Sequence, residues 1–214
     1  MRCKVIITRD FDHLSEVAAR FIQERIKQHL AQHGQFNLGL ATGSSPTGVY
    51  KHLAKTFNRG ELDATQVRSF NLDEYIGLPG ANAQMRALHP ESYCFFMVQE
   101  LFGLLRRKFS CTQVPCGNLV DPARLTRELQ AHPDDWTEQG ADKGKAVVIR
   151  PDARSEYLRW VRAEILDAYA RDIQQAGGID LHIIGVGGRG HVAFHECGIP
   201  FENNRMLLVR LDDN

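Results

Sequence analysis

The stretch Asp180-Leu181-His182-Ile183-Ile184-Gly185-Val186-Gly187-Gly188-Arg189-Gly190-His191-Val192-Ala193-Phe194-His195-Glu196-Cys197 decides how the chain is read. It opens as a short apolar run, Leu181 to Ile184, of the kind a buried parallel strand requires. Four glycines follow between Gly185 and Gly190, and directly behind them stand His191, His195 and Glu196. A strand that breaks into glycine and then releases ionisable side chains is how an open α/β sheet builds a site at its carboxyl edge. The same letters match the Gly-x-Gly-x-x-Gly fingerprint of dinucleotide binding at Gly185, Gly187 and Gly190. That fingerprint needs a helix after its third glycine. Gly198 and Pro200 leave too little room for one, so NAD is not the expected ligand. The glycines instead let a small ligand approach the backbone, where His191 and Glu196 act on it.

Outward from this stretch, strands and helices alternate. Lys4 to Thr8 reads as a first strand, and a helix ending at Gly34 follows, with Leu14, Val17, Phe21, Ile22 and Ile26 at three and four spacing. Asp10, Asp12 and Ser15 are its candidate caps. Phe36–Ala41 is a strand, then a sharp loop, then a helix carrying Val49, Leu53 and Phe57. Val67–Leu72 is another strand. Residues 76–89 read as loop or lid, and Glu91–Leu105 as helix. Residues 106–152 are the least regular, with a short helix near Pro122 to Ala131 and a strand at Val147–Ile149. A long helix over Arg154–Ala176 stops at Gly177-Gly178. The last strand is Met206–Leu211. This alternation predicts a Rossmann-like α/β fold, an open and mostly parallel sheet with helices on both faces. No covering helix follows that last strand, so the expectation is a chain truncated at its C-terminus.

Composition sets the class. The 214 residues are 43% hydrophobic and 24% charged, ordinary globular values, so the expectation is one domain over 1–214. Lys plus Arg is 26 and Asp plus Glu is 26, a balance that favours neither nucleic acid nor an anionic membrane. No run is long enough to span a bilayer, and the first residues do not read as a signal peptide. Five scattered cysteines without a Cys-x-x-Cys pair fit reduced thiols in a cytoplasmic protein.

Two further motifs carry chemistry. In Ala41-Thr42-Gly43-Ser44-Ser45-Pro46, hydroxyls and a glycine stand between a strand and a helix N-terminus. Thr42, Gly43, Ser44 and Ser45 there suit a phosphate, although the same letters also suit a plain turn with Ser45 as cap. In Phe70-Asn71-Leu72-Asp73-Glu74-Tyr75, two carboxylates sit at a strand's end. Asp73, shielded from water, would take a proton from carbon; the alternative is an acidic helix cap.

These motifs, with His89-Pro90-Glu91-Ser92-Tyr93 and the Gly185–Glu196 stretch, resemble in order and spacing the glucosamine-6-phosphate deaminases. The 6-phosphogluconolactonases, which share the fold and the first loop, come second. Residues 106–152 look like an insertion into this pattern. The resemblance implies conversion of glucosamine 6-phosphate, or a close relative, to fructose 6-phosphate and ammonia without a cofactor or metal. It implies Asp73 as the base that carries a proton from C2 to C1, His191 as the acid/base of ring opening, Glu196 as its partner, and Thr42–Ser45 as the phosphate loop. One residue departs: Arg189 stands where the deaminases usually keep an acid, and is a candidate modulator of activity. A sugar-phosphate sensor without turnover and a lactonase-like hydrolase are the competing expectations. The expected ligand is a small sugar phosphate, and a homo-oligomer is left open.

Overall fold

The structure, a computed structural model, describes residues 3–201 and 205–211. The chain runs through α1 (Phe11–Leu30), β1 (Phe36–Leu40), α2 (Thr47–Asn58), β2 (Val67–Asn71) and the short α3 (Ala83–Ala87). Helix α4 (Tyr93–Met97) continues as a π-helical turn, Val98–Phe102, and leads to β3 (Cys111–Gln113). Then come α5 (Pro122–Ala131), β4 (Trp136–Gln139) and β5 (Lys145–Ile149). Helix α6 (Glu156–Trp160) passes through a second π-helical stretch, Val161–Leu166, into α7 (Asp167–Gln175). Strands β6 (Leu181–His182) and β7 (Leu208–Arg210) close the described chain.

Four strands form a parallel sheet in the order β3-β2-β1-β6. The chain steps outward from β1 to β3, then returns to the other side of β1. That reversal makes the β1/β6 boundary a topological switch point, where open α/β sheets bind ligands. All five residues of β1 are buried, which explains why it reads as Phe-Asn-Leu-Gly-Leu rather than as an alternating strand. Phe36, Leu38, Leu40 and Val67 join Ile22 and Ile26 of α1, Tyr50 and Leu53 of α2 and Met97 of α4 in one core. Phe70 faces the other way, edge-on to Tyr169 of α7 with ring centroids 6.5 Å apart. Helices therefore flank both faces.

The strand ends are pinned by polar side chains. The buried Tyr50 hydroxyl donates to the Ala41 carbonyl, just past β1. The Tyr169 hydroxyl donates to the Asn71 carbonyl at 2.6 Å, at the end of β2. Burial raises both phenols well above their ordinary range, so they stay neutral donors. Asn37 anchors the approach to β6. Its Nδ2 donates to the Ala176 and Gly178 carbonyls at 2.8 and 2.9 Å, and its backbone N–H donates to Asp180 at 2.7 Å.

Several expectations need correction. Residues 3–8 carry no strand; Val5 and Ile7 are 79% and 91% exposed, and among the described residues no strand lies alongside to complete a ladder. The last strand does not join the parallel sheet: β7 pairs antiparallel with β5, which pairs antiparallel with β4. The strands β3 and β4 and the helix α3 were not expected, each being five residues or fewer. Asp10 caps α1, its Oδ1 accepting the His13 N–H at 2.8 Å. All five cysteines are free thiols. No described helix is long and apolar enough to cross a membrane.

The Asn37 anchor yields a test. Asn37→Ala strips two part-buried carbonyls of their donor and should cost about 1–2 kcal/mol, read as a lower urea midpoint with unchanged slope. A loss below about 0.5 kcal/mol, the range of a neutral surface change, would show that the anchor does not hold β6.

Candidate active site

Strands β2, β1 and β6 lie side by side, so the segments leaving their carboxyl ends meet. A cleft of about 680 Å³ opens there, lined by Thr42–Ser45 after β1, Asp73 after β2, and His191 and Glu196 after β6. Three motifs, the last of them more than a hundred residues beyond the other two in the chain, thus line a single site. Each is delivered as the ladder ends: the Leu72 N–H still donates to the Leu40 carbonyl at 3.2 Å, and Asp73 is the next residue.

The two adjacent carboxylates have different tasks. Glu74 turns toward α4. Its Oε1 accepts from the Tyr75 and Tyr93 N–H groups at 2.8 and 3.0 Å. Its Oε2 accepts from the Ser92 hydroxyl and the Cys94 N–H at 2.8 and 2.9 Å. The Tyr93 and Cys94 N–H groups are orphan donors of the first turn of α4, and a carboxylate is the right partner for them. Glu74 is therefore a cap. Asp73 is not: it is only 8% exposed, and it accepts one hydrogen bond, from the Phe194 N–H. Burial, reinforced by the Glu74 charge and only partly offset by the Phe194 N–H, pushes its carboxyl from 3.8 up to about 7. Of the two adjacent carboxylates, Glu74 is the acidic cap and Asp73 the one shielded from water.

The phosphate-loop letters are spent differently from a plain turn. Helix α2 starts at Thr47, and its N-cap is Pro46, with no side-chain cap. Ser45 is thus not consumed as a cap, and Gly43, Ser44 and Ser45 are exposed. Gly43 has φ +101°, a conformation a side chain at that position would strain. Thr42 and Tyr75 both hydrogen-bond the Tyr93 hydroxyl, the latter at 3.5 Å.

An aromatic wall, given no role by the motifs alone, lines the cleft beside Asp73. Tyr75, Tyr93 and Phe194 pack with centroid separations of 5.0, 4.7 and 5.4 Å. Their spacing carries no periodic signal, because each comes from a different segment. Ala193 takes a left-handed backbone, φ +54°, within the tight turn that bridges Val192 to His195. This turn aims the Phe194 N–H at Asp73. A non-glycine residue held there stores strain of the kind found at working sites.

His191 lies over Gly187; any side chain on Gly187 would collide with the imidazole, a Cβ falling 2.1 Å from Nε2. The Gly187 N–H donates to the His191 carbonyl at 2.9 Å, and the buried His191 Nδ1 has no hydrogen-bond partner. Glu196 lines the cleft but lies against Gly144, and no hydrogen bond joins it to His191. Arg189 also lines the cleft, with its guanidinium paired to Asp142. No helix follows the glycines in the described residues, so the fingerprint letters do not form a dinucleotide turn. Among the described residues no group of three His, Cys, Asp or Glu side chains is arranged to hold a metal ion.

Residues 9–87 match the family model described as glucosamine-6-phosphate isomerases/6-phosphogluconolactonase. A glucosamine-6-phosphate deaminase of Thermoanaerobacter sp. (strain X514) is 34% identical over 206 residues, 96% of this chain and 61% of that protein. Glucosamine-6-phosphate deaminase 1 of Homo sapiens is 34% identical over 196 residues, 91% of this chain and 52% of that protein. The chain thus spans about half to three-fifths of the length of these relatives. The solved structure of a monomeric glucosamine-6-phosphate deaminase superposes with TM-score 0.60 at 25% identity, covering 89% of this chain and 58% of that one. A 6-phosphogluconolactonase from Thermotoga maritima shares the fold, with TM-score 0.55 at 16% identity over 88% of this chain and 62% of that one. Along nearly its whole length the chain is similar in sequence to glucosamine-6-phosphate deaminases, and it shares its fold with a solved structure of one.

Proposed function

We propose that the protein is an amino-sugar phosphate deaminase/isomerase that converts glucosamine 6-phosphate, or a close relative, to fructose 6-phosphate and ammonia. The observation that carries this reading is Asp73: a buried carboxyl with a pKa of about 7, on the floor of a cleft that also holds an open hydroxyl loop and a histidine. A base poised near the working pH combines ionised form and proton affinity, which is what proton abstraction from carbon requires.

The steps follow from the positions. The phosphate sits against Ser44, Ser45 and the uncapped start of α2, where N–H groups and the helix dipole favour an anion. His191 moves the proton that opens the sugar ring. The Asp73 carboxylate takes the C2 proton of the open chain, giving an enolamine, and returns it to C1. The resulting C2 imine adds water and releases ammonia, so one water is consumed for each ammonia formed. Glu196, on the rim of the cleft, steadies the histidine's surroundings, and the aromatic wall of Tyr75, Tyr93 and Phe194 keeps water off Asp73. The Tyr93 hydroxyl, engaged by Thr42, joins the phosphate loop to the base.

Ammonia release from glucosamine 6-phosphate should fall by about 10³-fold or more in Asp73→Asn, the scale of a lost general base. Equal rates in both proteins, or turnover of 6-phosphogluconolactone instead, would overturn the reading.

Stability should move the opposite way. The folded-state pKa of Asp73 lies above its ordinary value, so its contribution is full below about pH 4 and is lost as pH rises through about 7. Asn carries no charge to desolvate. Asp73→Asn should therefore melt several degrees above the wild type at pH 8 and match it at pH 4, in thermal scans at both pH values. A variant less stable at pH 8 would contradict the burial of an ionising carboxyl.

A further inference from the structure

The loop that carries His191 and Glu196 is poorly suited to stand alone. It contains Gly185, Gly187, Gly188, Gly190 and Gly198, and glycine loses more conformational freedom on ordering than any other residue. Its order comes from a neighbour. Strands β4 and β5 form an antiparallel pair joined by Gly140-Ala141-Asp142-Lys143-Gly144. This turn is closed on itself by the Lys145 ammonium, which donates to the Gly140 carbonyl at 2.8 Å.

The turn then grips the histidine loop at three places. Asp142 forms an ion pair with Arg189, two residues before His191. The Ala141 N–H donates to the Gly198 carbonyl at 3.1 Å, two residues after Glu196. Gly144 lies beneath Glu196 itself, so close that a Cβ there would fall 2.4 Å from the Glu196 Cγ. Inside the loop, the Cys197 thiol donates to the Arg189 carbonyl at 2.6 Å, tying the two ends of the gripped segment together.

We propose that the β4–β5 turn is a clamp that positions the His191–Glu196 loop, with Asp142 and Arg189 as its latch and as positioning residues for the reaction. The latch side chains are 40% and 41% exposed, so the pair adds little to global stability. Its effect falls on the geometry of the loop, where a displacement of about 1 Å can cost 10²-fold in rate. Substrate binding is affected less, because the phosphate loop Thr42–Ser45 stands on a different strand.

The kinetic part rests on the deaminase reading; the positional part does not. Hydrogen exchange should therefore be measured alongside turnover, on wild type, Asp142→Ala, Arg189→Ala, the double variant and Asp142→Glu. Amides of residues 185–198 should exchange at least about fivefold faster in Asp142→Ala, with β1 and β2 unchanged. For glucosamine 6-phosphate, kcat should fall about tenfold with KM within about twofold, a split that separates positioning from binding. The double variant should be no worse than either single one, since both break the same contact. Asp142→Glu should restore exchange protection and kcat. Unchanged exchange in Asp142→Ala, or additive losses in the double variant, would overturn the clamp. Wild-type protein without turnover would sink the deaminase reading while the exchange result still decided the clamp.

Discussion

Everything at the site depends on three parallel strands ending at one level. In the β2-β1-β6 order, Gly39 lies opposite both Phe70 and His182, so the chains leave the sheet together. Parallel pairing is the weaker kind per residue and needs both faces covered. The helices supply that cover, Tyr50 on Ala41 and Tyr169 on Asn71 hold two of the exits, and Asn37 holds the turn that leads into β6. Without them, the hydroxyl loop, Asp73 and His191 would stand on three unrelated turns.

Burial then does the chemical work. An aspartate at a strand end in water would be a spent carboxylate at neutral pH. Here Phe194 and the two tyrosines close over Asp73, and Glu74 adds a like charge without sharing a site with it. Glu74 tolerates its own charge because four donors surround it. Asp73 is raised first by its burial and then by the neighbouring Glu74 charge, with a single N–H donor, that of Phe194, only partly offsetting them.

Much of this was legible in the sequence. The apolar runs at Phe36 and Val67 read as strands because fully buried strands must be continuous, and the strand-then-glycine pattern at Gly185 marked the site. What was not legible has a common cause: it depends on contacts between distant segments. Glu74 could not be told from Asp73 before Ser92 was brought to it. The grip of Asp142 on Arg189 spans an irregular region and a glycine loop, neither of which shows a period. The strand expected at Lys4–Thr8 has suitable residues, but residue type makes a strand only when a partner lies alongside. The antiparallel β7 misled for the same reason, since apolar runs do not state which sheet they join.

The central claim is that the fold holds Asp73 as a base near neutrality. Its most direct test is to titrate the Asp73 carboxyl by carbon NMR in protein labelled at aspartate, with Asp73→Asn identifying the signal. The account expects a midpoint near pH 7. A midpoint near pH 4, the value of an ordinary exposed aspartate, would contradict it.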